Sequence, residues 1–268
     1  MPDYATRRSL AADLAALGLA AGDTVMAHAA LRKLGPIIGG PDSLIGAIRD
    51  VIGPAGTLLV YTDWGNADGV RRSGGAVPDD LKPDVPPFDP KTSRATRDNG
   101  AFVELVRTTP GALRSGNPGA SCAALGARAE WLTADHPLDY GYGAHTPFAK
   151  LVEAGGKVAM LGAPLDTMTL LHHAEAMADI PNKRIVRREA PIVQDGKVIW
   201  RWIEEFNTSH PVVAGLDEDY FADIVAEFLA TGRGSRGRIG KAEAVLVPAD
   251  GIVAFAIDWL EARFPKAE

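Results

Sequence analysis

Apolar residues along this chain fall into two alternating patterns, short continuous runs and stripes at helical spacing. Leu10, Leu14 and Leu17 recur at i, i+4 and i+7 and predict a first helix that Gly18 ends. A run over 24–28 predicts a strand. In "IIGGPDSLIGAIRDVIG" a Gly-Gly-Pro loop leads to Asp42 or Ser43 as cap, and Leu44, Ile45, Ile48, Val51 and Ile52 share one helical stripe. "GTLLVYTDW" predicts a second strand that gives way to polar Thr62 and Asp63 and to Trp64. Strand, helix, strand at this spacing predicts a crossover unit in a largely parallel sheet.

A Gly-, Pro- and Asp-rich stretch over 66–90 is too long for a casual connection and predicts a functional loop or lid. Beyond it the pattern predicts a short helix over 99–107, a strand over 121–125 and helices over 128–133 and 147–154. Thr146 caps the last of these, with Pro147 at its first position. A strand over 158–161 follows, then a helix from Asp166 or Thr167. "APIVQDGKVIWRWI" predicts a hairpin about Asp195-Gly196. A helix over 219–230, a strand over 244–248 and a closing amphipathic helix to Phe264 complete the pattern. With no dividing linker and no repeat, residues 1–268 read as a single α/β domain. Its expected core is a central mixed, largely parallel sheet flanked by helices, with a long active-site loop.

Composition narrows the function classes. The chain is 46% hydrophobic and 23% charged, as an ordinary globular protein is, and its start lacks the apolar middle of a signal peptide. No run is long enough to cross a bilayer, so a cytoplasmic location is expected. The single cysteine, Cys122, excludes an internal disulfide and a multi-thiolate metal site. A net charge of −6 argues against nucleic acid or an anionic membrane as partner and favours a cationic one. Oligomeric state is not legible.

The chemistry concentrates in "LGAPLDTMTLLHHAEAMADIPNKR", residues 161–184, which carries two of the six histidines side by side just beyond a strand. Successive helical residues point about 100° apart, so His172 and His173 cannot face one site. No H-E-x-x-H spacing occurs, so no metal is expected. His172 shares a face with Thr169 and Glu175 at i−3 and i+3, and a histidine beside a carboxylate is a good general base. The same spacing also fits a partly buried helix whose histidines satisfy backbone groups.

This segment resembles the helix motif of aminoglycoside 3-N-acetyltransferases, which acetylate antibiotics from acetyl coenzyme A. The resemblance continues through "VMAHAALRKLGPIIGGPDSLIGAIRDVIGPAGTLLVYTDW", "PPFDPKTSRATRDNGAFVELVRTTPGALRSGNPGASCAALG", "HPLDYGYGAHTPFAKLVEAGGKVAMLGAPLD" and "FAIDWLEARF", nearly the whole chain in order. It implies His172 as the catalytic histidine, with Glu175, or Glu205 or Asn207 of "IEEFNTSHP", orienting it. Where Asn207 stands the family pattern has an acid; an amide fixes a tautomer but cannot stabilise an imidazolium by charge. "HAALRKLGPIIGG" is implied near acetyl coenzyme A, with His28, Ala29, Ala30, Leu31, Arg32, Lys33 and Gly35 as candidates. Serines of the family pattern are replaced here by Ala29 and Ala30. Arg114, Ser115 and Asn117 of "LRSGNPGAS" are further cofactor candidates, although Asn117-Pro118 also fits a turn. A polycationic sugar requires carboxylates, and Asp63, Asp68, Glu104, Asp166 and Asp217 are the candidates.

Four other readings compete. A Ser-His-Asp hydrolase lacks its G-x-S-x-G elbow. A Cys122 nucleophile is disfavoured by its apolar neighbours, which suit a buried thiol. A binding protein without turnover, or an acetyltransferase for a different amine, remains open. The basic "GRGSRGRIGK" reads as a solvated loop.

Overall fold

The computed structural model describes residues 4–65 and 67–266. Asn66, the expected first residue of the long loop, lies outside the described residues. The first half contains α1 (Arg7–Leu17), β1 (Thr24–Ala29), α2 (Gly40–Ile52), β2 (Thr57–Tyr61), α3 (Ala101–Thr108), β3 (Leu113–Arg114) and β4 (Cys122–Gly126). Then come α4 (Ala129–Thr133), α5 (Pro147–Glu153), β5 (Lys157–Leu161) and α6 (Leu171–Met177). The hairpin β6 (Ile185–Gln194) and β7 (Lys197–Phe206) precedes α7 (Tyr220–Ala230), β8 (Ser235–Ile239), β9 (Ala242–Pro248) and α8 (Ala249–Arg263).

Seven strands form one sheet in the order β3-β4-β2-β1-β5-β9-β8. β1 pairs in parallel with β2 and with β5, in a register that sets Met26 opposite Val158 and His28 opposite Met160. β4 and β9 run antiparallel to β2 and β5, and β3 and β8 reverse again at the edges. Five of the seven strands therefore point one way, and the expected mixed α/β sheet is present.

The central strands are continuous apolar runs because both faces are covered. Val25, Leu58 and Leu161 join α1, α2 and α3 in one core. Met26, Leu59 and Met160 join α5, α7 and α8 in the other. With both faces sealed, the strand ends are left to build a site.

Local chemistry explains some helix boundaries. Thr6 and Ser9 form a reciprocal capping box on α1, and Gly18 ends it in the left-handed conformation, φ 108°. The Thr146 hydroxyl accepts from Ala149 N at 3.3 Å above α5, as expected. α2 begins at Gly40, earlier than the expected cap at Asp42 or Ser43; Ser43 instead donates to Ile38 O at 2.6 Å.

Two further expectations fail. The helix expected from Asp166 or Thr167 starts only at α6, because Leu165–Thr167 form a separate 3₁₀ turn after Pro164. The basic segment expected as a solvated loop is edge strand β8, which β9 completes.

The hairpin turns through Asp195 and Gly196, both at positive φ (51° and 73°), which suits the twist of paired strands. The long loop follows the hairpin. Phe88 N donates to Pro191 O and Val193 N to Phe88 O, both at 2.8 Å, while Glu189 N donates to Gly75 O at 2.9 Å. Gly75 sits at φ +84°, and a Cβ there would come within 1.8 Å of the Arg187 carbonyl oxygen, so only glycine allows this approach.

Candidate active site

A cavity of about 540 Å³ opens where the carboxyl ends of β1, β2 and β5 meet the long loop and the hairpin. β1 contributes His28 and Ala29, followed by Ala30; Asp63 and Trp64 come just after β2, and Ala163 and Pro164 just after β5. Gly162 makes the turn beyond β5 at φ +69°, where a Cβ would lie 2.9 Å from the Ala242 methyl. That close approach lets the chain leave the sheet and climb to α6, which presents His172 to the cavity.

The two histidines diverge as the helical angle requires. His172 donates Nδ1–H to Glu175 Oε2 at 2.5 Å, which leaves Nε2 as the nitrogen with an available lone pair. Its ring lies between Tyr142, centroids 5.1 Å apart, and the edge-on Phe221, 4.9 Å away. His173 points into the protein, where Nδ1 donates to Tyr142 O at 2.7 Å. Burial lowers its pKa and keeps it neutral.

Glu175 is buried, and the Tyr220 hydroxyl donates to its other oxygen, Oε1. Of the three groups expected to orient His172, Glu175 is the one in contact. Asn207 instead accepts from Ser209 N at 3.0 Å in a local turn, so its expected catalytic position is not occupied. Glu205 lines the cavity but accepts from Gly141 N at 2.6 Å and Phe206 N at 2.8 Å. Burial pushes its carboxyl up to about 7 against those two bonds and the neighbouring His172 and Arg188.

Five carboxylates, Asp63, Asp68, Asp98, Asp166 and Glu205, line the cavity against two guanidiniums, Arg71 and Arg188. Asp63 is held by Asn99 Nδ2 and by the Thr96 hydroxyl at 3.3 Å, and burial raises its pKa despite those bonds. Asp68 pairs with Arg71. Asp98 and Asn99 are lining residues that the sequence reading missed, although their segment "TRDNG" lies inside a family-like stretch. Tyr61 and Tyr142, hydroxyls 2.6 Å apart, are further missed lining residues; Tyr61 ends an apolar strand run and Tyr142 sits between two glycines, and neither pattern signals a site.

Other candidates lie elsewhere. Glu104 is outside the cavity, bound by Arg107 at 2.7 and 2.8 Å, Arg94 at 3.0 Å and Ala95 N at 3.1 Å. Burial opposes ionisation there, but these donors hold its pKa down to about 2. Asp217 is exposed and does not line the cavity.

Arg114 crosses the protein interior to donate to Ser93 O at 2.6 Å, to Thr62 O and to the Ser121 hydroxyl at 3.1 Å. Ser115 is fully buried, accepts from Cys122 N at 3.0 Å and lies 2.8 Å from His136 Nδ1. That serine and histidine resemble a nucleophile and base, yet His136 Nε2 donates to Gly141 O at 2.8 Å and the pair is sealed from the cavity. Asn117 reaches the cavity wall, but its amide binds Pro137 O, Leu138 O and the N–H groups of Gly119 and Ala120. Cys122 is buried, which raises its pKa and disfavours a thiolate.

At the β1 end, His28 lines the cavity, and burial lowers its pKa to about 4. Ala30 N already donates to Leu161 O at 3.0 Å. Leu31, Arg32, Lys33 and Gly35 continue outward beyond the lining, with Arg32 and Lys33 exposed. Among the described residues no cluster of three or more His, Cys, Asp or Glu side chains is suited to a metal, and no helix is long and apolar enough to cross a membrane.

The sequence model described as Aminoglycoside 3-N-acetyltransferase matches residues 26–261. The chain belongs to this family. It is 44% identical to aminoglycoside N(3)-acetyltransferase III of Pseudomonas aeruginosa over 254 residues, which cover 93% of this chain and 91% of that protein. Among solved structures, AAC-IIIb, described as binary with CoASH, is 61% identical with a TM-score of 0.97, covering 99% of this chain and 100% of that one. AAC-VIa, described as bound to sisomicin, is 35% identical with a TM-score of 0.93 over 99% and 100% of the two chains. In this aminoglycoside 3-N-acetyltransferase family member, the cavity at the strand ends is lined by His172, Asp63 and Glu205.

Proposed function

We propose that this protein transfers the acetyl group of acetyl coenzyme A to the 3-amino group of 2-deoxystreptamine aminoglycosides. Both substrates are bound together, and His172 acts as general base. The observation that carries the reading is the His172–Glu175 couple, its Nε2 free, in a cavity with five carboxylates against two guanidiniums. Family membership and the relatives described with CoASH and with sisomicin support the two substrates.

Acetyl coenzyme A supplies an acetyl thioester. His28, Ala29 and Ala30 form the inner surface toward it, and exposed Arg32 and Lys33 suit its phosphates. The serines of the family pattern are absent and the Ala30 N–H is engaged, so polar contacts at these two alanines are fewer. Asp63, Asp98 and Glu205 hold ammonium groups of the sugar, and binding a cation beside Glu205 favours its carboxylate form.

The acceptor amine must be neutral to attack. Nε2 of His172 takes its proton as the amine nitrogen bonds to the thioester carbonyl carbon, and Glu175 stabilises the imidazolium by charge. The carbon–sulfur bond breaks with its electron pair on sulfur, and the proton on Nε2 then passes to the thiolate. Cys122 and Ser115 are sealed away, which favours direct transfer over an acetylated enzyme.

The test is to follow thiol release from acetyl coenzyme A with sisomicin and related drugs and to map the product by NMR. Acetylation at the 3-amino group is expected. Turnover only with another class of amine, or acetylation at another position, would overturn the substrate assignment.

A further inference from the structure

We propose that Tyr220 is a positioning residue for the reaction: its hydroxyl holds one oxygen of Glu175 while His172 holds the other, so it fixes the carboxylate and moderates its grip on the imidazolium. The inference rests on His172 being the base.

Glu175 is only 2% exposed, too little for water to serve as a substitute partner. Oε2 accepts from His172 Nδ1 at 2.5 Å, and Oε1 accepts from the Tyr220 hydroxyl. A carboxylate held at both ends cannot rotate away from the imidazole. Tyr220 is itself buried at the start of α7, with Trp259 stacked 6.3 Å away at 24° and Phe221 edge-on at 4.8 Å. Phe221 meets the His172 ring, so two consecutive residues of α7 contact the two members of the couple. Burial and the Glu175 charge raise the phenol's pKa, which keeps it a donor.

The chemical consequence has a definite sign. A donated hydrogen bond draws negative charge from the carboxylate, so Glu175 holds a proton on His172 less strongly than it would with one partner. The transferred proton must leave Nε2 again to reach the thiolate, and too stable an imidazolium retards that step. Other charged or titratable groups lie near the couple: Glu205 and Arg188 line the same cavity and Tyr142 packs against the ring, while His173 on the same helix turns away to Tyr142 O. The Lys183 ammonium lies 3.0 Å from the carbonyl oxygens of Glu175 and Ala176. Deleting one hydroxyl leaves all of these in place.

The experiment compares the pH dependence of kcat/KM for the parent, Tyr220→Phe and His172→Ala, with melting temperature measured alongside. In Tyr220→Phe the acid limb is expected to move up by about one pH unit, so the loss is largest below neutrality and shrinks at alkaline pH. A profile superimposable on the parent's, or the same fractional loss at every pH, overturns the proposal. If His172→Ala keeps the parent's turnover, the base assignment and this inference fall together. If His172→Ala collapses while Tyr220→Phe keeps the parent's profile, the inference alone falls.

Discussion

The α6 segment and the Arg114–Asn117 loop carry similar polar side chains, and both lie in family-like motifs, but they use them in opposite ways. On α6 the polar chain from Tyr220 through Glu175 ends at His172 Nε2, an atom turned to the cavity. In the loop every notable polar group ends on the protein itself: Arg114 on carbonyls, Ser115 on Cys122 N and His136, Asn117 on four backbone groups. The difference teaches that polarity in a motif does not identify chemistry. What separates a reacting group from scaffold is whether a side chain keeps an unbonded atom facing the ligand space.

The sharpest way to break this comparison is to truncate both regions. His172→Ala is expected to lower kcat by about 10²–10⁴ with a melting temperature near the parent's. Arg114→Ala is expected to do the reverse. Losing a buried guanidinium that satisfies two carbonyls and a hydroxyl costs about 3 kcal/mol of stability, while the folded fraction keeps its kcat. Calorimetry and steady-state kinetics on the same preparations check both. Comparable kcat losses in the two variants would erase the distinction.

A smaller effect separates cavity carboxylates from those engaged elsewhere. Asp63→Asn is expected to raise the aminoglycoside KM about tenfold at low ionic strength, and less in high salt. Glu104→Gln, outside the cavity, is expected to leave KM unchanged, and a matching rise there would show that the acids act by general charge alone.

The smallest expected effect is in the pH dependence of stability. The folded-state pKa of Glu205, about 7, stands above its ordinary 4.5, so this group's contribution is greatest below pH 4.5 and is lost as pH rises through 7. Glu104, held at about 2, acts oppositely and loses its contribution as pH falls from 4.5 through 2. Melting temperatures across this range are expected to show Glu205→Gln removing part of the decline between pH 4.5 and 7. An unchanged slope would place Glu205 in a better solvated setting than its geometry indicates.

The same contrast governs what the sequence reveals. His172 and Glu175 are three residues apart, so helical spacing alone brings them together, and the apolar runs of β1, β2 and β5 announce a sheet buried on both faces. β8 is invisible because an edge strand reading Ser-Arg-Gly-Arg-Ile buries only its isoleucine and has no apolar signature. α6 is misplaced at its start because Asp166 and Thr169 continue a helical spacing through a 3₁₀ turn. Arg114 is misread because its partners, Ser93 and Thr62, lie 21 and 52 residues away, and Tyr220 is overlooked because Glu175 is 45 residues distant. Local periodicity gives elements and short-range couples, whereas the fate of a long polar side chain depends on topology.

The most direct test of His172 as the proton acceptor is rescue of His172→Ala by added imidazoles of graded basicity, measured as the rate of thiol release with sisomicin. Turnover should return, and the rescued rate should rise with the basicity of the added imidazole, as proton transfer to a free base requires. Parent-level turnover in His172→Ala with no added base would contradict the assignment.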